Sequence, residues 1–197
     1  MDGTDGNSEP APASARASLI EELREHALII GTVVLTSGAT AEYYVDAKRA
    51  ILRASGFSPL GVLVAAQVHD WGGTAVGGMT MGADPVACAA LAGGAHVKAF
   101  FVRKDAKAHG LQRRIEGPLL SAEDRCVVVE DVVTTGGSTL AAIAALQEAG
   151  HEICGVISVL DRLAGGGEAI EAASGAPYRA LTNIDEVYPD RPDRAGP

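Results

Sequence analysis

Two adjacent carboxylates at the end of an apolar run, just ahead of a loop of hydroxyls and glycine, are where this sequence most clearly invites chemistry. They stand in VVVEDVVTTGGSTLAAI, residues 127 to 143, where Glu130 and Asp131 are followed by Val132, Val133 and the loop Thr134-Thr135-Gly136-Gly137-Ser138-Thr139. The two glycines let backbone approach a ligand, and Thr134, Thr135, Ser138 and Thr139 supply hydroxyls. The alanine-rich helix that follows presents unpaired N–H groups and the positive end of its dipole. Those are the requirements of a monophosphate cradle. With no lysine after the glycines this is not a Walker loop, and without GxGxxG a dinucleotide fold is disfavoured. Carboxylates facing a phosphate would repel it. A few ångströms along they can accept hydrogen bonds from vicinal sugar hydroxyls, so the string fits a ribose 5-phosphate. The plainer alternative is an aspartate capping a helix after a strand.

A second cluster, Arg103, Lys104, Lys107 and His109, lies in the polar loop of FFVRKDAKAHGLQRRIEGP. Guanidinium, ammonium and imidazolium groups on a closing loop would stabilise charge developing on an anionic leaving group. The alternative is a solvated basic turn. A third candidate, Asp161-Arg162, ends a strand, where a surface ion pair is the common reading of such residues. A guanidinium there also suits a flat carboxylate edge.

The elements that must position these residues alternate in the manner of a parallel sheet. TAVGG, VKAFFVRK, residues 126 to 130 and ICGVISVLDR read as strands; residues 84 to 91, 138 to 149 (with Gly150 as C-cap) and GEAIEAASG read as helices. This predicts an α/β fold with a doubly wound, mainly parallel sheet, and such sheets bind ligands beyond the carboxyl ends of their strands. Ahead of it, SLIEELREHALII reads as a helix from Ser18, VVLTSGATAEYYV as a hairpin turning at Ser37-Gly38, and residues 48 to 70 as mostly helical with a break or bend at Gly56 and Pro59. Residues 1 to 17, acidic and rich in Pro, Ser and Ala, read as a disordered leader. The rest reads as one domain, 18–197, with a hood over about 18–60 and a core over about 61–185.

Composition narrows the function classes. A formal net charge of -9 over 197 residues argues against a general nucleic-acid or anionic-membrane binder. No apolar run approaches a membrane span. Cys88, Cys126 and Cys154 match neither a metal-site spacing nor a disulfide framework, and read as small buried hydrophobes in a reduced, cytoplasmic setting.

The stretch CVVVEDVVTTG, with four apolar residues, two acids, two variable residues and T-T-G, resembles the phosphoribosyl pyrophosphate (PRPP) signature of the type I phosphoribosyltransferases. Within that superfamily, Arg103-Lys104, Lys107, His109 and Gly110, closing in IEG, resemble the mobile catalytic loop of orotate phosphoribosyltransferases. LTSGATAEYYVDAKRAIL, GGMTMGADPVA and VLDR extend the resemblance over roughly residues 18 to 185.

That resemblance implies transfer of ribose 5-phosphate from PRPP to orotate in pyrimidine biosynthesis, giving orotidine 5′-monophosphate and pyrophosphate. It implies a PRPP site formed by Arg103, Lys104, Lys107, His109, Glu130, Asp131 and residues Val132 to Ser138, orotate contacts at Thr134 and Arg162, and catalytic roles for Arg103, Lys107, His109 and Asp131. Mg²⁺ would be the cofactor, held mainly by substrate oxygens with Asp131 nearby rather than in a protein cage. A homodimer with shared active sites is also implied. Two positions depart from the common pattern: Thr36 and Gly82-Ala83 stand where many members carry cations. Tyr43 and Tyr44 are open between ligand contact and packing of the hood. The rivals are a phosphoribosyltransferase for a purine or uracil, and a non-catalytic PRPP-binding regulator.

Overall fold

Helix α1 (Pro12–His26) buries Ala15, Leu19 and Leu23 along one face and is the first element of the computed structural model, which describes residues 12–34, 38, 40–104 and 114–194. It begins at Pro12 rather than Ser18, so residues 12–17, expected in the disordered leader, are helical. Tertiary anchoring outweighs their composition: Ala15 is buried, and Arg16 donates from Nε to the Leu181 carbonyl at 2.9 Å and pairs with Glu186 at 2.7 Å. Residues 1–11 lie outside the described residues.

Strands β1 (Leu28–Val34) and β2 (Thr40–Val45) form an antiparallel pair, with the reversal falling between Val34 and Thr40. Tyr43 and Val45 turn inward, while Tyr44 faces out. The helical stretch that follows divides into α2 (Lys48–Ile51) and α3 (Ala54–Asp70). The break comes at Leu52-Arg53, ahead of both residues expected to cause it. Pro59 lies buried inside α3 without ending it, and Gly56 serves close packing, since a Cβ there would collide with the Ala50 carbonyl.

The main sheet has the order β5-β4-β3-β6-β7-β8, built from β3 (Ala75–Met79), β4 (Lys98–Val102), β5 (Ile115–Glu116), β6 (Arg125–Val133), β7 (Glu152–Asp161) and β8 (Tyr178–Asn183). Every pairing is parallel except β4 with β5. Helices α4 (Ala83–Ala92), α5 (Gly137–Glu148) and α6 (Gly166–Ser174) make the crossovers, and α7 (Ile184–Val187) follows β8. The doubly wound, mainly parallel α/β sheet is as the alternation predicts. β6 explains why its sequence reads as a continuous apolar run: Val127 and Val129 pack on the side of α1, α3 and α4, while Cys126 and Val128 pack against α5 and α6. Cys126 and Cys154 are buried as expected, but Cys88 is exposed on α4. No helix among the described residues is long and apolar enough to cross a membrane.

Candidate active site

The chain leaves β3 toward β4 on one side and then returns past β3 to start β6, so the strand order reverses between β3 and β6. At such a switch point the loops beyond neighbouring strands part and leave a crevice. β6 runs to Val133, so Glu130 and Asp131 stand within the strand, opposite Ser158 and its neighbours on β7, rather than after it. Both acids are buried, 5% and 8% exposed. Across the reversal, the Thr80–Gly82 turn after β3 lies directly on them: a Cβ on Gly82 would stand 2.5 Å from Glu130 Oε1 and from Asp131 Oδ1.

The two carboxyls are held differently. Glu130 Oε2 accepts from the Thr139 hydroxyl at 3.3 Å, and Oε1 from the Asp131 amide at 3.3 Å. Burial, reinforced by the neighbouring Asp131 charge, raises its pKa to about 8, which favours the protonated form of Glu130. Asp131 has cationic company instead. Its Oδ2 accepts from the Lys48 ammonium at 2.8 Å and its Oδ1 from the Val132 amide at 2.8 Å. Burial works against the Lys48 charge, but hydrogen bonds and attraction from Asp131, then Asp46, outweigh it and lift Lys48 above the ordinary lysine value.

The loop after β6 leads directly into α5. Thr134, Thr135, Gly137 and Ser138 are exposed, and Gly136 takes the left-handed backbone, φ 80°, that starts α5. Among the described residues no side chain caps α5, and the first N–H groups of a helix started in this way can receive an anion. Behind the loop sits α6: a Cβ on Gly166 would come 2.5 Å from the Thr134 carbonyl. One hydroxyl departs from expectation. Thr139 is buried and donates to Glu130, so it supports the acids rather than lining the cradle.

Arg162 follows β7 and is tied by its amide to the Val133 carbonyl at 2.8 Å, which sets it beside Thr134. Its guanidinium lies 4.9 Å from the centroid of the Tyr43 ring and 3.9 Å from Asp193 Oδ2, while its buried Nε has no hydrogen-bond partner among the described residues. The surface ion pair with Asp161 is not the arrangement found: Asp161 is buried and accepts from the Tyr178 hydroxyl at 2.9 Å and the Leu163 amide at 2.7 Å. Tyr43 is thus a packing residue beneath Arg162, braced edge-on by Tyr188 at 5.3 Å.

Arg103 starts its loop at the same end of the sheet, because Thr80 donates its amide to the Val102 carbonyl at 2.9 Å. It pairs with Glu116 at 3.5 Å, and Lys104 is exposed beside it. Lys107, His109 and Thr36 lie outside the described residues. The structure therefore sets Glu130, Asp131, the 134–138 loop and Arg162 at the carboxyl ends of β6 and β7, on the side where the strand order opens a crevice, with Arg103 following β4 at the same end of the sheet. It adds Lys48, Tyr43 and Asp193, each contributed by a segment distant in sequence.

No family model matches the chain. An orotate phosphoribosyltransferase of Corynebacterium glutamicum is 49% identical over 182 residues, covering 92% of this chain and 98% of the relative. The chain belongs to the orotate phosphoribosyltransferase family. Solved orotate phosphoribosyltransferases share its fold. The Mycobacterium tuberculosis H37Rv enzyme in complex with Fe(III) dicitrate superposes with a TM-score of 0.80 at 44% identity, covering 88% of this chain and 99% of that one. The same enzyme in complex with PRPP gives 0.72 at 37% identity, covering 88% and 92%. As an orotate phosphoribosyltransferase, this chain presents its acids, hydroxyl loop and arginine in the order its sequence motifs suggest. It does so with Gly82 seated on the acids.

Proposed function

We propose that this protein transfers the ribose 5-phosphate group of PRPP to N1 of orotate, releasing pyrophosphate and forming orotidine 5′-monophosphate, as a cytoplasmic enzyme of pyrimidine biosynthesis. The observation that carries this reading is the placement of Glu130 and Asp131 between the exposed 134–138 hydroxyl loop and the Gly82 turn at the strand-order reversal, with Arg162 beside Thr134.

In this reading the α5 N-terminus and the hydroxyls of Thr134, Thr135 and Ser138 hold the 5′-phosphate. Asp131, held by Lys48, accepts from one ribose hydroxyl, and Glu130 hydrogen-bonds with the other. Arg162, with Thr134, receives the carboxylate and carbonyl edge of orotate. The anomeric carbon gains positive, oxocarbenium-like character as it migrates, so the reaction asks for position and charge rather than a protein nucleophile. Arg103, Lys104, Lys107 and His109 serve the pyrophosphate side. The oxygens of Asp131 and of the loop hydroxyls are hard donors that suit a magnesium ion carried mainly by PRPP, which supplies charge neutralisation when bound.

The test is the loss of orotate absorbance on mixing protein, orotate, PRPP and Mg²⁺, with magnesium-free and Lys107→Ala controls. A magnesium-dependent decrease that Lys107→Ala abolishes supports the reading. No decrease, with PRPP still raising the Tm, assigns another base or a sensor. A homodimer with shared sites is part of the proposal. Mixed dimers of a Lys107→Ala chain with a Thr134-defective chain then regain partial activity, and their failure to do so counts against sharing.

A further inference from the structure

We propose that Lys48 is a positioning residue for this transfer: from the hairpin side of the molecule, its ammonium fixes the Asp131 carboxylate that receives a ribose hydroxyl. The inference rests on the proposed function and adds a residue from outside the PRPP signature.

Lys48 is the first residue of α2, which follows β2 in the chain and packs on α1 and α3, whereas Asp131 lies deep in β6. The ammonium bridges them, 2.8 Å from Asp131 Oδ2 and 3.2 Å from Asp46 Oδ1. With the Val132 amide on Oδ1, both oxygens of Asp131 have a donor, which fixes the carboxylate plane. The Gly82 turn closes the remaining side, where not even a Cβ would fit. What is left of the four or so acceptor positions of a carboxylate is therefore directed into the crevice. Lys48 selects which ones those are.

Charge points the same way. Asp46, Glu130 and Asp131 gather at this spot, and among the described residues Lys48 is the cation paired with the two aspartates. A doubly phosphorylated, strongly anionic substrate must approach that group of acids. Without the ammonium, Asp131 would face it uncompensated. A tether holding α2 in place is the competing role. It is poorly served by a side chain 36% exposed when Ala50 and Ile51 already seat α2 with no exposure at all.

The experiment compares Lys48→Met, Lys48→Arg, Asp131→Asn and the Lys48→Met/Asp131→Asn double variant for kcat, both KM values and Tm. Lys48→Met should lower kcat/KM for PRPP by roughly tenfold to a hundredfold, the effect of one charge-assisted hydrogen bond. Orotate KM should stay within about twofold and Tm within a few degrees, because the residue touches neither the base end nor the core. Lys48→Arg should recover most of the loss, and the double variant should be no worse than Asp131→Asn alone, since Lys48 acts through Asp131. Unchanged PRPP kinetics in Lys48→Met would overturn the inference. So would a fall in Tm with both KM values rising together, or fully additive losses in the double variant. If Asp131→Asn itself leaves PRPP kinetics intact, the ribose reading fails first and takes this one with it. If Asp131→Asn is impaired while Lys48→Met is not, only the role of Lys48 is wrong.

Discussion

The Arg162 guanidinium lies 4.9 Å from the centroid of the Tyr43 ring, and both residues reach the same Asp193 carboxylate, Tyr43 by a hydroxyl bond of 3.1 Å and Arg162 at 3.9 Å. A hairpin residue thus supports the arginine assigned to the base. Tyr43→Phe keeps the ring and should leave orotate KM within about twofold, whereas Tyr43→Leu should raise it by roughly fivefold to tenfold, the scale of a lost cation–π contact. Steady-state KM for orotate against PRPP checks this, with the change confined to orotate.

Asp193 competes for the charge that orotate would use. It also accepts from Arg191 at 2.9 Å, and although burial opposes its charge, the Arg191 and Tyr43 hydrogen bonds hold its pKa below the ordinary aspartate value. Asp193→Asn should therefore lower orotate KM by about twofold to fivefold, in keeping with a partly exposed ion pair. A raised KM would show instead that Asp193 orients Arg162 for the substrate.

Glu130 carries a pH signature. Its pKa rises from 4.5 to about 8, chiefly through burial, so between those values the folded protein binds more protons than the unfolded chain. Stability from this group is complete below about 4.5 and is lost as pH climbs through about 8. Ligand-free wild type should lose Tm across that window, and Glu130→Gln should lose less. At neutral pH, Glu130→Gln should retain far more activity than Asp131→Asn, because burial already biases Glu130 toward its uncharged form.

Gly166 sets the back wall of the phosphate loop. Its Cβ position lies 2.5 Å from the Thr134 carbonyl and 3.0 Å from the Gly136 amide, so Gly166→Ala must push α6 or the loop aside. The expected result is a loss of about 1–3 kcal/mol in unfolding free energy. A PRPP KM raised by roughly tenfold should accompany it, since small misplacement at a binding loop is costly. Denaturant unfolding and PRPP kinetics together check it.

What could be read from the sequence was whatever the chain places side by side. The acids, the 134–138 loop and the α5 start are contiguous, and β6, buried on both faces, shows as an unbroken apolar run. Lys48, Tyr43 and Asp193 carry no such local mark, because they join the crevice only when the hairpin and the C-terminal segment fold over it. Local pattern also misplaced boundaries. Pro12–Ala17 read as leader because Pro, Ser and Ala signal disorder, yet β8 and α7 give Ala15 and Arg16 something to pack on. Thr139 looked like a cradle hydroxyl because spacing alone does not say which way the first turn of α5 faces. β5, two residues long, and β8, weakly alternating, lacked the periodicity that marks a strand.

Those Arg16 bonds have a consequence for the rim of the sheet. β8 is the last strand, paired on one side only among the described residues. Arg16 donates to the Leu181 carbonyl on it, and Arg24 to the Glu186 carbonyl just beyond at 2.6 Å. The first helix therefore acts as a rivet that fastens the outermost strand and the turn of helix after it to the body of the protein. A shortened chain starting at Ser18 would keep every residue of the crevice and yet lose the Arg16 rivet, leaving the rim of the sheet freer to peel away.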